Sequence, residues 1–530
     1  MFDNSKPNVI ILADLTDVVT MSKTLGPYKV ANELRRAGFE CMVLQHIHTM
    51  DFEELKYLLS NLISDQTLFV GINTMFYQDI DGVVKSPTEP MYYKEAHPGA
   101  MLPHGYKYNQ EFKNFVKLCN PNTKIVLGGS KSVDASWNKD YDYLVFGYAD
   151  VSIVELARYL QNPQGKLNKS YRSIHGPVVL DDSRAETYDF NNTPMGYVDH
   201  DIILPGETLN IEIARGCIFR CTFCSYPLNG KKKLDFIKHE EILYNEFIDN
   251  YRQWGTTRYI FSDDTFNDSA EKIEMIWRIS RRLPFDLEFW AFVRLDLLSA
   301  HIDLTDKLFE SGLRGCFFGI ETMNEKSARS IGKGGSREKQ IDTLKYIKDK
   351  WGDKVILSAG FILGLPYEDL NSMNLTINTL VSRQIPLDHW SFFPLVIRGD
   401  ITQHSSNYHS ELDKNYTKYG YRKIGVDGIF LDWENDYTNY KEILQLSKWA
   451  NEISTERGIR TIDSYQAFSI AGLGFDLDFT RIRSNNEIDW HKIFLTKQQR
   501  ALEYKNKIYS IQNIKPYYSK SKFSWTWSGV

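Results

Sequence analysis

Leu209-Asn210-Ile211-Glu212-Ile213 reads as a short strand, and it leads into Cys217-Ile218-Phe219-Arg220-Cys221-Thr222-Phe223-Cys224. Half of the chain's six cysteines fall in that one loop, spaced C-x3-C-x2-C, with no fourth Cys or any His close by. Three thiolates cannot close a four-coordinate zinc site without a distant partner such as His239. They can hold a cubane iron–sulfur cluster at three corners, leaving the fourth iron open to an exogenous ligand. An open coordination position is a catalytic arrangement, so the chemistry of the chain is expected here.

Downstream, helical and strand patterns alternate. Helices are expected near Phe236–Tyr251, Glu271–Arg282, Asp303–Glu310, Lys339–Lys350 and Asn371–Ser382. Strands are expected at Arg258–Phe261, Glu288–Val293, Cys316–Ile320, Val355–Ile362 and Trp390–Leu395. With the opening strand this makes six strands and five intervening helices over residues 208–400, the pattern of a partial (β/α)6 TIM-type barrel. Ligands of such sheets bind beyond the C-terminal strand ends, and the cysteines, Asp263-Asp264, Arg294, Glu321 and Gly364 all fall there.

Upstream, residues 1–161 also alternate, with strands at Asn8–Ala13, Cys41–Leu44, Leu68–Ile72, Lys124–Leu127 and Tyr143–Phe146. Pro27–Ala37, Phe52–Leu62, Glu111–Leu118 and Val151–Tyr159 read as the helices between and after them. This is the α/β signature of a doubly wound, Rossmann-like parallel sheet, interrupted by an irregular insertion at Tyr77–Tyr108. Residues 162–207 are polar and punctuated by Gly and Pro, and read as a linker. Beyond 400 the pattern loosens into a mixed C-terminal region, 401–530, expected to cap or shape the substrate pocket, with helices at Lys441–Glu456 and Glu503–Ile511.

Composition narrows the classes. At 530 residues the chain exceeds one core, and 63 basic against 68 acidic residues give a net charge of −5. No global field therefore favours nucleic acid or anionic membrane. No run of ~18 apolar residues spans a bilayer, and the start lacks the apolar core of a secretory signal. Thiolate clusters need reducing conditions, so the cytoplasm is the expected compartment. Cys41, Cys119 and Cys316 sit in apolar neighbourhoods and read as buried free thiols. The tail Tyr517–Trp527 mixes aromatic and basic residues that can stack on nucleic acid; docking onto its own domain is the plainer reading.

Cys217, Cys221 and Cys224, with Phe223 before the last Cys, resemble the signature of the radical S-adenosylmethionine (SAM) superfamily over roughly residues 208–397. The resemblance implies that these thiolates hold a [4Fe–4S] cluster whose open iron is chelated by SAM. Reductive cleavage of SAM then gives a 5′-deoxyadenosyl radical that abstracts substrate hydrogen. It places Ser262, Asp263 and Asp264 at the SAM amino group, and Arg294 and Glu321 at its carboxylate and ribose. The segment Gly360-Phe361-Ile362-Leu363-Gly364-Leu365-Pro366 would lie beside the adenine, with Ile362 and Gly364 in contact. A guanidinium offers a carboxylate two parallel donors, which suits the role given to Arg294. An electron donor such as flavodoxin or ferredoxin is implied, and Lys231-Lys232-Lys233 is either a solvated turn or its docking patch.

Residues 8–160 resemble the cobalamin-binding domain that precedes the radical domain in one branch of the superfamily. Gly26-Pro27-Tyr28, Ala37-Gly38-Phe39-Glu40, Val70-Gly71-Ile72, Gly128-Gly129-Ser130 and Phe146-Gly147-Tyr148 carry that resemblance. It implies cobalamin contacts at Gly71, Gly128, Gly129, Ser130 and Gly147. The Asp-x-His-x-x-Gly ligand motif is missing, since Asp14-Leu15-Thr16-Asp17 follows the first strand. The leading expectation is cobalamin-dependent methyl transfer to an unactivated carbon of a small-molecule or peptide substrate. A cobalamin-independent radical epimerase, cyclase or other carbon-skeleton enzyme is one alternative; a non-catalytic iron–sulfur sensor or scaffold is another. Methylthiotransferases carry a second three-Cys cluster, and the upstream half has only Cys41 and Cys119.

Overall fold

The computed structural model describes residues 6–13, 21–73, 110–129, 141–164, 167–168, 170–172, 176–182, 188–226, 228–399, 409–427, 430–459, 462–477 and 489–517. The insertion at Tyr77–Tyr108, the segment Asp14–Asp17, Ser130 and all but the first residue of the aromatic tail lie outside them. Chain contacts divide the protein into two compact units: 1–189 with 195–204 and 494–530, and 190–194 with 205–493.

Apolar runs buried on both faces build the first sheet. Val9–Leu12 (β1) is wholly buried, and so is Cys41–Leu44 (β2), although β2 is the edge strand of the sheet. Between them lies Leu25–Arg36 (α1), followed by Phe52–Leu62 (α2), which Asp51 caps by accepting the Glu54 N–H. Phe69–Asn73 (β3), Gln110–Cys119 (α3), Lys124–Gly128 (β4), Tyr143–Gly147 (β5) and Ser152–Gln161 (α4) complete the expected alternation. Two short strands follow, Ser170–Arg172 (β6) and Val178–Asp182 (β7), giving the order β2-β1-β3-β4-β5-β7-β6. Only β6 runs antiparallel to its neighbour.

Residues 162–207, read as a linker, thus add two strands to this sheet. Val178-Val179-Leu180 is a short apolar run among polar residues, and it becomes a strand only because β5 offers it a parallel partner. Farther along the same stretch, Asp201 is buried and binds Arg35 of α1 at 2.7 Å.

The second sheet has the six strands expected, in sequential order and all parallel: Leu209–Glu212 (β8), Arg258–Ser262 (β9), Glu288–Val293 (β10), Leu313–Glu321 (β11), Ile356–Leu363 (β12) and His389–Pro394 (β13). Glu240–Trp254 (α5) and Ala270–Arg282 (α6) precede β9 and β10; Leu295–Ala300 (α7) and Leu304–Glu310 (α8) precede β11. Glu325–Ser330 (α9), Arg337–Trp351 (α10) and Leu370–Val381 (α11) follow. The short helices α7 and α9 were not visible in the sequence; six residues each are too few to show a helical period.

The region after 400 contributes Glu411–Lys414 (α12), an antiparallel hairpin of Arg422–Asp427 (β14) and Phe430–Glu434 (β15), Tyr440–Glu456 (α13), Ser464–Ala471 (α14) and Trp490–Ile511 (α15). Helix α14 closes the lower end of the second sheet. Ser464 accepts the Trp290 indole N–H at 2.8 Å and donates to the Cys316 carbonyl at 2.9 Å, while Phe468 and Ala471 pack on Trp290 and Ile260. Helix α15 is longer than expected, and from Phe494 onward it belongs to the first unit: Lys505 pairs with Glu54 at 3.0 Å and Tyr504 accepts the Gln45 N–H. Cys41 and Cys316 are buried free thiols as expected, whereas Cys119 is only half-buried at the end of α3. Among the described residues, no helix is long and apolar enough to cross a membrane.

Candidate active site

With α14 below, the inner face of the second sheet opens towards its C-terminal strand ends. Inward side chains there are unusually exposed for strand residues: Phe292 of β10 is 40% and Phe393 of β13 is 42% accessible. Phe317 of β11 meets Phe292 edge-on, and an added Cβ at Gly360 would stand 3.0 Å from the Phe317 ring. Aromatic faces and a missing side chain leave an apolar recess beneath the cysteine loop's side of the sheet.

The cysteine loop leaves β8 through a buried Glu212–Arg215 pair at 2.6 Å, with the Arg215 guanidinium over the Phe190 ring. Gly216 takes φ +72°, and a Cβ there would run into Leu228. This turn therefore needs glycine. Backbone bonds then close the loop: Gly230 N–H to the Cys217 carbonyl at 2.7 Å, and Cys224 N–H to that of Cys221 at 3.0 Å. Asn229 donates to the Cys224 carbonyl at 3.2 Å. Cys217 is buried; Cys221, Cys224 and Phe223 are half-buried. Burial pushes the Cys217 and Cys224 thiols up, so thiolates there call for a compensating positive centre. Among the described residues no three Cys, His, Asp or Glu side chains converge on a single-ion site. A cubane engages each thiolate at a separate corner, so the two descriptions are compatible. His239, the conceivable zinc partner, is the N-cap residue of α5.

The strand ends divide the expected SAM residues. Asp263 is 2.7 Å from Lys272, which also meets Asp268 at 2.7 Å, all three with no solvent access. Asp263 also accepts the Thr265 N–H, so its carboxylate is committed to the fold. Asp264, by contrast, is pushed up to about 7 by burial and by its neighbour Asp263, and takes a backbone bond from Gly216. Ser262 ends β9, half-buried opposite Glu212. Arg294 turns onto the cysteine loop and donates to the Cys221 sulfur at 3.4 Å.

Glu321 ends β11 at φ +69°, beside a register shift between Gly319 and Glu321. A non-glycine residue there is strained by roughly 1–3 kcal/mol, a cost concentrated at functional sites. Its carboxylate pairs with Lys333 at 3.3 Å, and burial raises its pKa. Ile362 faces the recess, half-buried. Gly364 is at φ +85°, but the space of its missing Cβ is taken by Trp433 and Ile443, at 3.0 and 3.1 Å. The glycine there admits the protein's own side chains.

Sequence reasoning missed the supporting shell. Thr265 accepts from the Cys217 thiol at 3.3 Å, Asp296 grips Arg294, and the run Gly332-Lys333-Gly334-Gly335 lies against the loop. Thr222 N–H bonds to the Ile331 carbonyl at 3.2 Å. The glycine run was the one available signal, since it announces a backbone that must pass close to something. Of the basic run, Lys231 donates to the Asp235 carbonyl and Lys233 pairs with Glu271, with Lys232 and Lys233 exposed.

In the first unit, Gly128, Gly129 and Gly147 gather at the C-terminal ends of β4 and β5, with φ +109° at Gly129 and +87° at Gly147. Among the described residues, nothing lies closer than 3.9 Å to a Cβ added at Gly128. That open edge of a doubly wound sheet suits a large flat cofactor. Gly71 does not share it: it lies within β3, its missing Cβ facing Ile11 and Phe69 at 3.7 Å.

Residues 211–380 match the radical SAM superfamily profile. The second unit carries a radical SAM domain. An uncharacterized methyltransferase of Pyrococcus horikoshii is 26% identical over 293 residues, 52% of this chain and 61% of that protein. One of Synechocystis is 27% identical over 197 residues, 34% of each. The chain spans about half the length of the curated relatives it matches. Among solved structures, the radical SAM methyltransferase TsrM of Kitasatospora setae, with cobalamin and a [4Fe–4S] cluster bound, aligns at TM-score 0.60 and 13% identity. That alignment covers 93% of this chain and 100% of TsrM. The cobalamin-dependent radical enzyme OxsB, with aqua-cobalamin and SAM bound, aligns at 0.55 and 15% identity, over 94% and 72% of the two chains. Both likenesses establish the architecture of a doubly wound sheet followed by the radical SAM barrel. A [4Fe–4S] cluster and SAM are the cofactors that such a domain implies.

Proposed function

We propose that the protein is a radical SAM enzyme that transfers a methyl group, with cobalamin, to an unactivated carbon of a small substrate. The observation that carries this reading is the three-cysteine loop at the mouth of a parallel barrel, with Asp264 just past the end of β9 and Glu321 at the end of β11, one strand apart across β10. Cys217, Cys221 and Cys224 would hold three corners of the cluster. When bound, the cluster and SAM supply a 5′-deoxyadenosyl radical, and cobalamin a transferable methyl group. The chain's own residues do the rest. Asp264 accepts from a cationic amino group, Glu321 accepts from hydroxyls, and Phe292, Phe317 and Phe393 keep water from the reacting carbon. Gly128 would leave room for the corrin edge, with Gly129 and Gly147 beside it in the left-handed backbone that glycine permits. The named methyltransferases among the relatives and the TsrM-like architecture support the choice over a radical epimerase or cyclase.

Reductive cleavage needs a low-potential electron donor, such as flavodoxin or ferredoxin, and Lys232 and Lys233 offer an exposed basic rim beside the loop. A cytoplasmic setting follows from the same redox demand.

The test uses full-length protein reconstituted anaerobically with iron and sulfide. Reduced wild type should convert SAM to 5′-deoxyadenosine, and Cys221→Ala should lose both the cluster absorbance and the product. A variant that still cleaves SAM would overturn the ligand assignment. Corrinoid absorbance with a methylated product supports the cobalamin reading; cleavage without corrinoid favours the carbon-skeleton alternative, and a cluster without cleavage the sensor.

A further inference from the structure

We propose that Arg294 is a positioning residue for the cysteine loop, setting the reduction potential of the cluster rather than clamping the SAM carboxylate. The proposal rests on the cluster assigned above and concerns what this side chain does to it.

A guanidinium has five N–H donors and two edges able to grip a carboxylate with parallel bonds. Both edges are in use. Nε donates to Asp296 Oδ1 at 3.0 Å and Nη2 to Asp296 Oδ2 at 2.6 Å, which fills the side-on fork. On the end-on edge, Nη2 donates to the Gly332 carbonyl at 3.2 Å and Nη1 to the Cys221 sulfur at 3.4 Å. The flat face is covered as well, lying 3.8 Å from the Phe219 ring centroid within the same loop. Asn267 fixes the backbone from both sides, accepting the Arg294 N–H at 2.8 Å and donating to its carbonyl at 2.9 Å. Arg294 is 5% accessible. A second carboxylate would have to evict Asp296, or Cys221 together with Gly332.

The same contacts give Arg294 a different task. Reduction adds a negative charge to the cluster and its thiolates. An N–H bond to a ligand sulfur and a buried cation beside it stabilise that added charge, and so raise the potential. Asp296 offsets part of the charge while fixing the orientation. It also accepts the Gly334 N–H at 3.1 Å, tying the glycine run to the same hub.

The experiment is an EPR-monitored redox titration of reconstituted full-length protein without SAM, paired with equilibrium SAM binding. Arg294→Gln should lower the ratio of reduced to oxidised cluster about tenfold at the wild-type midpoint, about 59 mV for one electron. Its SAM dissociation constant should stay within about twofold of wild type, well inside 1.4 kcal/mol. Arg294→Lys, keeping the charge without the fork, should recover part of the shift. An unchanged midpoint with lost SAM affinity would overturn the proposal in favour of the carboxylate role. Loss of the cluster from both variants would overturn it too, reducing Arg294 to a purely structural clamp. A wild type that holds no cluster sinks the functional reading itself, and is seen before any variant is compared.

Discussion

Lys272 Nζ lies 2.7 Å from Asp263 Oδ2, and neither side chain reaches solvent. The same ammonium meets Asp268 at 2.7 Å and the Thr265 carbonyl at 2.8 Å. Through Thr265, whose hydroxyl takes the Cys217 thiol, this buried cluster of charges fixes the ground on which the first cysteine stands. Asp263 thus serves the fold, whereas Asp264 beside it has no part in the Lys272 ion pairs.

Lys272→Met would leave two buried carboxylates without their cation. The expected loss is about 3–5 kcal/mol of stability, because an uncompensated buried charge costs far more than the pair contributed. Urea denaturation of the full chain measures it. A loss within ~1 kcal/mol would mean that water or another cation reaches Asp263.

The Glu321 carboxylate lies where a Cβ at position 319 would stand, 2.6 Å from its Oε1, so Gly319 makes room for it. Lys333, bound to the Gly319 carbonyl at 2.8 Å, holds the carboxylate in place. Glu321→Gln should weaken SAM binding about tenfold, the ~1.4 kcal/mol expected for one charge-assisted hydrogen bond, with iron content unchanged. Gly319→Ala should reproduce the defect by displacing the carboxylate. Calorimetric titration with SAM decides this, and wild-type affinity in both variants rules out a ligand role for Glu321.

Glu368 is 1% accessible, and burial pushes its carboxyl up to about 7 from an ordinary 4.5. It accepts from Thr322 at 2.6 Å, Gly364 N–H at 3.1 Å and Leu365 N–H at 3.2 Å. The folded chain therefore binds this proton more tightly than the unfolded chain does. Its contribution is most favourable below pH 4.5 and declines as pH rises towards 7, by about 3 kcal/mol in all. Glu368→Gln mimics the protonated form and should flatten that decline in thermal unfolding between pH 5 and about 8. Parallel pH profiles for variant and wild type would show that Glu368 is ionised without penalty.

Gly216→Ala places a side chain on a φ of +72° and against Leu228. The cost should be ~2 kcal/mol or more, concentrated on the turn that delivers Cys217. Iron bound per chain after reconstitution should fall while the first unit's unfolding is unaffected. Full iron loading in the alanine variant would show that the loop can form by another route.

The six barrel strands and the cysteine loop were legible because their signals are local. An apolar run of five residues buries itself wherever it pairs, and three thiols within one turn stay together in any fold. Helices α2, α6 and α10 were legible for the same reason, each with an N-cap acceptor one residue before its first turn. Strands β6 and β7 and the β14–β15 hairpin were not, since short polar-edged segments become strands only when a partner edge is at hand.

By itself the sequence determined the longer elements, the order of the barrel strands and the closeness of three cysteines, because each depends on neighbours along the chain. The tertiary structure alone decided which charges meet. Asp263 went to Lys272 and away from a ligand, Arg294 went to Cys221 across 73 positions, and the open space at Gly364 was filled by Trp433. A buried charge must find its counter-charge in space, and the crossing of distant segments that brings the two together leaves no periodic trace in the sequence.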